Sequence, residues 1–277
     1  MRAAAVQLNS TEDRPANLTK AAELTRAAAA DGSELVVLPE HFDLRGSDEA
    51  YARGAEALDG PTVTWARELA RDLRIDLVAG SFMERRDGHE KPANTSLHVG
   101  RDGELRGVYR KVHLFDVSVG GVDYGESANA EPGDELVVTE VAGTPVGLTV
   151  CYDLRFPELY RILALRGALI ATVPANFTQV TGEAHWEVLL RARAIENQLF
   201  VVAAAQVGAS PPEQGDAYGN SLIADPWGTV LARASGDEET FIAADLDFAR
   251  LADVREKLPS LANRVPAAYR WPAEVHA

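Results

Sequence analysis

Short, almost wholly apolar runs alternate with helical segments near both ends of this chain, and that alternation limits its fold more than anything else in the sequence. "AAAVQLN" (3–9) reads as a buried strand. "PANLTKAAELTRAAAADG" (15–32) is Ala-rich, opens on Pro and closes on Gly, as a helix does. "SELVVLPE" (33–40) is a second strand, "PTVTWARELARDLRI" (61–75) a helix by its apolar spacing, and "DLVAGSFME" (76–84) a third strand. The middle of the chain changes character. "NTSLHVGRDGELRGVYRK" (94–111) holds two extended runs about a turn, and "DELVVTEVAGTPVGLTVC" (134–151) repeats that form. Alternation then returns. "PELYRILALRGALIATVPA" (157–175) and "EAHWEVLLRARAIENQLFVVAAAQ" (183–206) each run from helix to strand, three short strands fill 218–246, and a helix follows near 247–257. The pattern predicts an α/β fold with mixed sheets. No linker or repeat interrupts it, so one domain over 1–277 is expected.

Composition narrows the function. The formal net charge of -15 and a pI near 4.8 argue against nucleic acid or an anionic membrane as partner, because both need a basic footprint. No apolar stretch approaches the roughly 18 residues that span a bilayer, and the N-terminus lacks a secretory pattern. A single cysteine excludes an internal disulfide and a multi-cysteine zinc site, and it fits a reducing, cytoplasmic setting. No metal or other cofactor is expected.

That cysteine, Cys151, stands in "GLTVCYDLRFPE" (147–158), between an apolar strand and a helix that Pro157 can start and Gly167 can stop. A residue at a strand-to-helix turn can project clear of the sheet while the next backbone amides point into the same space. This suits a nucleophile, with the Tyr152 N–H as oxyanion donor; an inert, buried thiol fits the segment equally well. A reactive thiol needs a base or a nearby cation. Glu40 directly follows the buried run "VVLP", and it would share a sheet edge with Cys151 if their strands were neighbours. Lys111, in "VYRKVHLFD", ends another strand and could favour thiolate and oxyanion. Glu126, in "YGES", follows it in a loop. His41 and His113 flank these candidates and leave a Cys–His pair open, whereas His185 beside Trp186 reads as a helix residue with a packing or hydrogen-bonding role.

The trio "VVLPEHF", "YRKVHLFD" and "LTVCYDLRFPE" resembles the nitrilase superfamily of carbon–nitrogen hydrolases, over essentially the whole chain. The resemblance implies a four-layer α-β-β-α sandwich and a Glu–Lys–Cys triad of Glu40 (general base), Lys111 (oxyanion stabiliser) and Cys151 (nucleophile). It further implies Glu126 as the additional glutamate beside the lysine, and a homodimer or higher homo-oligomer. "CYDLRFPE" with "GEAHWEVLLRARAIENQ" is similar to the branch of deaminated-glutathione amidases and ω-amidases, so the implied substrate is a small carboxylate-bearing amide. Arg155 then becomes the candidate carboxylate contact, or else a capping arginine paired with Glu158, and Phe177 and Thr181 become pocket candidates. Glu183, where the branch often has Pro, and Asn220, where it often has His, are departures expected near the substrate loops. A broad aliphatic amidase, an N-carbamoyl amidase, a nitrilase and a catalytically silent binding protein are the alternatives.

Overall fold

The computed structural model describes residues 1–209 and 215–270. Along the chain run β1 (Arg2–Gln7), α1 (Arg14–Ala30), β2 (Leu35–Val37), α2 (Asp48–Gly54), α3 (Pro61–Leu73), β3 (Asp76–Glu84), β4 (Ala93–Val99) and β5 (Leu105–Arg110). A small ribbon of β6 (Asp116–Val119) and β7 (Val122–Gly125) leads into α4 (Glu126–Asn129). Then come β8 (Val138–Val141), β9 (Thr144–Leu148), a 3₁₀ turn (Cys151–Arg155), α5 (Pro157–Leu165), β10 (Ile170–Ala175), α6 (Gln179–Asn197) and β11 (Phe200–Ala205). β12 (Val207–Gly208) pairs with β13 (Ala217–Tyr218); β14 (Leu222–Ala224), β15 (Val230–Arg233), β16 (Thr240–Asp245) and α7 (Phe248–Lys257) complete the described chain.

Two six-stranded sheets form, ordered β16-β1-β2-β3-β4-β5 and β15-β14-β11-β10-β9-β8. Each has a parallel centre, β1/β2/β3 in one and β9/β10/β11 in the other, flanked by antiparallel strands. The sheets meet face to face through β1 and β2 on β11 and β3 on β10. α1 and α3 cover the first sheet and α5 and α6 the second, giving the layers α-β-β-α. The period-2 alternation of strands sends neighbouring residues into different cores. Ala3, Ala5, Leu35 and Val37 join the core between the sheets, while Ala4, Val6, Val36 and Leu38 join the core under α1 and α3. Strands buried on both faces have no polar side, which is why the runs are apolar throughout.

The helix ends follow their local chemistry. Asp13 caps α1 by accepting from the Ala16 N–H at 3.1 Å, with Pro15 in the first turn. Thr178 caps α6 through the Thr181 N–H. Gly167, at φ 98°, ends α5 in the left-handed conformation that glycine tolerates. Three pieces escape the sequence pattern: α2, the β6/β7 ribbon and α4. All are too short for periodicity to register. The second strand is also shorter than its apolar run suggests, pairing only over Leu35–Val37. No helix among the described residues is long and apolar enough to cross a membrane.

Candidate active site

Strand direction brings the candidate residues to one edge. Glu40 follows β2 and Cys151 follows β9, each at the C-terminal end of a parallel strand. β5 is two antiparallel reversals away from β3, so it points the same way and delivers Lys111 to that edge. The strands bearing Glu40 and Cys151 are not neighbours in one sheet. They belong to opposite sheets, and the site lies in the cleft between them.

Two local devices aim the side chains. Past β2 the chain crosses the bulge in β3 so closely that a Cβ on Gly80 would lie 1.9 Å from the Pro39 carbonyl oxygen. Only glycine admits that approach, and Ser81 then accepts from the His41 N–H at 3.2 Å. At the other wall, Cys151 has φ 48°, a left-handed conformation that a non-glycine residue holds only when its surroundings enforce it. Asp153 supplies that enforcement. Its fully buried carboxylate accepts from the Val150 N–H (2.8 Å), the Tyr109 hydroxyl (2.7 Å) and His113 Nδ1 (2.8 Å).

The floor of the site is a shared network, in which the buried Asn94 Oδ1 has no partner among the described residues. Lys111 Nζ donates to Glu40 Oε1 at 3.0 Å and to Glu126 Oε2 at 2.8 Å. Asn94 Nδ2 donates to both glutamates, at 2.9 and 3.1 Å. The Asn176 N–H completes Glu40 at 2.9 Å, and the Phe115 N–H completes Glu126 at 2.7 Å. Cys151 lines the same cavity as Glu40, close enough for each group to shift the other's proton affinity. Glu40 and Lys111 are each 2% exposed and Cys151 7%, so these are buried charges that persist because they are paired.

Electrostatics fix where the protons rest. Burial pushes the Glu40 carboxyl up, but the Lys111 ammonium, its hydrogen bond and the neighbouring Cys151 thiol outweigh it and hold Glu40 below its ordinary range. Burial works against the Lys111 charge, yet Glu126 and Glu40 raise its proton affinity well above the usual value. Burial and the neighbouring Glu40 charge push the Cys151 thiol well up. The resting site therefore holds a carboxylate, an ammonium and a protonated thiol. The Tyr152 N–H, in the first turn after Cys151, donates to no acceptor among the described residues.

Above this floor opens a cavity of about 540 Å³ lined by Glu40, Lys111, Glu126, Cys151, Tyr152, Arg155, Phe177 and Thr181, among others. The guanidinium of Arg155 lies over the Phe177 ring at 5.2 Å and the Tyr152 ring at 5.9 Å, and its Nη1 is 3.2 Å from His185 Nδ1. The pairing with Glu158 is absent: among the described residues no carboxylate lies within ion-pair distance of Arg155, because the ring sandwich turns it toward the cavity. No hydrogen bond joins a histidine to Cys151 among the described residues. His41 sits 4.0 Å from Glu40 and is kept neutral by burial, and His113 stacks on Phe156 while bonding Asp153. Glu183 and Asn220 do not themselves line the cavity, although Thr181 and Ala217 close to them in the chain do. Glu183 is exposed and accepts from Gln179, and Asn220, at φ 59°, ties Tyr218 to Arg233. Asn94, Asn176 and Asp153 were not legible as site residues; only the position of Asp153, three residues after Val150 at a helix start, hinted at a side chain bonding back to the backbone. Among the described residues no group of three His, Cys, Asp or Glu could hold a metal ion.

Comparison with known proteins follows from this geometry. Residues 2–256 match the carbon–nitrogen hydrolase family model. The chain is 38% identical over 269 residues to the omega-amidase NIT2 of Mus musculus, covering 95% of this chain and 94% of that protein. It is 40% identical over 267 residues to a deaminated glutathione amidase of Synechocystis sp., covering 95% and 97%. Among solved structures, Saccharomyces cerevisiae Nit3, a member of branch 10 of the nitrilase superfamily, superposes with a TM-score of 0.85 at 33% identity, covering 94% of each chain.

Proposed function

This chain belongs to the carbon–nitrogen hydrolase family, and from that membership we propose that it is a cysteine amidase that opens a small carboxylate-bearing amide through a Cys151 thioester. The observation that carries this reading is one arrangement: a buried ammonium bonded to two glutamates at the floor of a substrate-sized cavity that the only thiol in the chain also lines.

Glu40 removes the Sγ proton as the sulfur attacks the amide carbon. The tetrahedral oxyanion takes hydrogen bonds from Lys111 Nζ and the Tyr152 N–H. Protonated Glu40 passes its proton to the amide nitrogen, the C–N bond breaks, and ammonia or an amine leaves. Water then enters, Glu40 takes one of its protons, and the hydroxide adds to the thioester. Collapse of that adduct releases the acid and returns the proton to the sulfur. The depressed Glu40 and raised Cys151 proton affinities oppose transfer in the resting site, so in this cycle the proton moves together with C–S bond formation and not before it. Glu126 and Asn94 act as positioning residues, holding Lys111 and Glu40 in register. Arg155, with no protein carboxylate beside it in an acidic chain, is the group to receive the substrate carboxylate, with Phe177 and Thr181 beside it.

The same reading takes 1–277 as one domain in a cytoplasmic homodimer. α5 and α6 expose Ile162, Leu165, Val188 and Ile195, apolar side chains that a second copy would cover. The deciding experiment compares hydrolysis of the ω-amide of a 2-oxo acid, deaminated glutathione, neutral aliphatic amides, N-carbamoyl compounds and nitriles, with acid-quenched samples weighed intact. Turnover of a carboxylate-bearing amide with acyl mass on Cys151 is expected. Turnover with no acyl mass, and unchanged after iodoacetamide modifies Cys151, would sink the thioester mechanism.

A further inference from the structure

The cavity is unevenly charged. Its lining includes the inner glutamates and, nearer solvent, Asp48, Glu49, Asp123 and Asp216, against only two cations, Lys111 and Arg155. Lys111 is committed to Glu40 and Glu126. None of the four outer acids has a cation within ion-pair distance among the described residues. Asp123 bonds only the Ser118 hydroxyl, and Asp48 and Glu49 are exposed in the first turn of α2. Once a substrate carboxylate occupies Arg155, a further anion at the cavity mouth meets these four acids, of which Asp216 alone is partly offset by the charge of the buried Arg45. A low-dielectric cleft focuses such a field, and salt screens it.

We infer that this mouth is a charge filter, in which Asp48, Glu49, Asp123 and Asp216 admit amides bearing one carboxylate and disfavour those bearing a second on the leaving-nitrogen side. The inference rests on the amidase reading and sharpens it. The volume accommodates both substrate types named for the relatives, so size does not separate them. Charge does. The ω-amide of a 2-oxo acid has one carboxylate and releases ammonia. Deaminated glutathione has a second carboxylate on the dipeptide that would leave as the amine. The filter makes the primary ω-amide the preferred class.

The test uses one 2-oxo diacid acyl group joined through its ω-carbonyl to glycinamide or to glycine, a pair that differs only by the remote carboxylate. At low ionic strength kcat/KM for the glycinamide conjugate should exceed that for the glycine conjugate by about 10-fold, and the ratio should shrink as salt is added. The double variants Asp48→Asn/Glu49→Gln and Asp123→Asn/Asp216→Asn should each lower the ratio several-fold, with circular dichroism verifying that they fold. Equal kcat/KM for the pair at low salt, or a ratio indifferent to salt and to both variants, would overturn the filter while leaving the amidase reading intact. Turnover of neutral amides with none of the carboxylate-bearing ones would overturn the carboxylate reading and the filter together.

Discussion

Two buried ion clusters in this protein have the same make-up and opposite fates. At the floor of the cavity Lys111 lies between Glu40 and Glu126. Behind the loop that follows Glu40, Arg14 lies between Asp43, at 3.1 Å, and Glu56. Each is one cation with two carboxylates. The Arg14 cluster is structural: its guanidinium, partly exposed, also donates to the Gly54 carbonyl, and Glu56 accepts from the Thr62 N–H at 2.9 Å, pinning α2 and α3 to the start of α1. It faces no cavity and no thiol. The acids differ too. Glu40 collects donors from Lys111, Asn94 and Asn176 and is held low. Burial pushes Asp43 up to about 7, because Arg14 opposes it only partly and Glu56 adds a like charge. A buried triad is thus a staple by default; access, surplus hydrogen-bond donors and a nearby sulfur are what suit the Lys111 cluster to the chemistry proposed for it.

The largest effect expected from this contrast is at the sulfur. Cys151→Ala should cut amide turnover by about 10⁴-fold or more, measured by ammonia release, with little change in thermal midpoint. Lys111→Met should lower kcat/KM by about 10²–10³-fold, because an oxyanion donor and the charge that keeps Glu40 ionised are lost together. Arg14→Met should do the reverse. It leaves Asp43 and Glu56 buried without their cation, costing about 3 kcal/mol in urea unfolding while the folded fraction keeps its kcat. A large loss of kcat per folded molecule would erase the distinction between the clusters.

Two pH profiles sharpen the same comparison with smaller effects. Glu40 must be ionised to act and is held below its ordinary range, so the acid limb of kcat/KM should fall below about pH 4.3. An acid limb at neutrality would contradict that placement. Asp43 holds its proton more tightly folded than unfolded. Its contribution to stability is therefore present at low pH and declines as pH rises from about 4 toward 7. Asp43→Asn should flatten that part of the thermal midpoint against pH curve, and an unchanged slope would show that Asp43 is not its source.

Much of the fold is legible in the residues. β1 and β11 are apolar on both faces because they lie between layers, and the hairpin about residues 100–104 forms where "RDGE" marks it. β2 is overread because its last residues, Leu38 to Glu40, leave the ladder to cross Gly80, a long-range contact that apolar character cannot reveal. α2 and α4 escape because seven and four residues hold too few turns to show a period. At the site, Cys151 stood out by rarity and Glu40 and Lys111 by ending apolar runs. Asn94 looked like any polar residue opening a strand.

By itself the sequence determined an α/β alternation with mixed sheets, since buried strands and amphipathic helices are written in the spacing of apolar side chains; the order of the layers is not written there. It also determined which side chains could react, since that is covalent chemistry. Only the tertiary structure decided that Glu40 and Cys151 face each other across two sheets, that Lys111 rather than Arg14 sits under an open cavity, and where every proton rests. Proton affinity depends on the charges and donors within a few ångströms, and residues 40, 94, 111, 126, 151 and 176 become neighbours only when both sheets close.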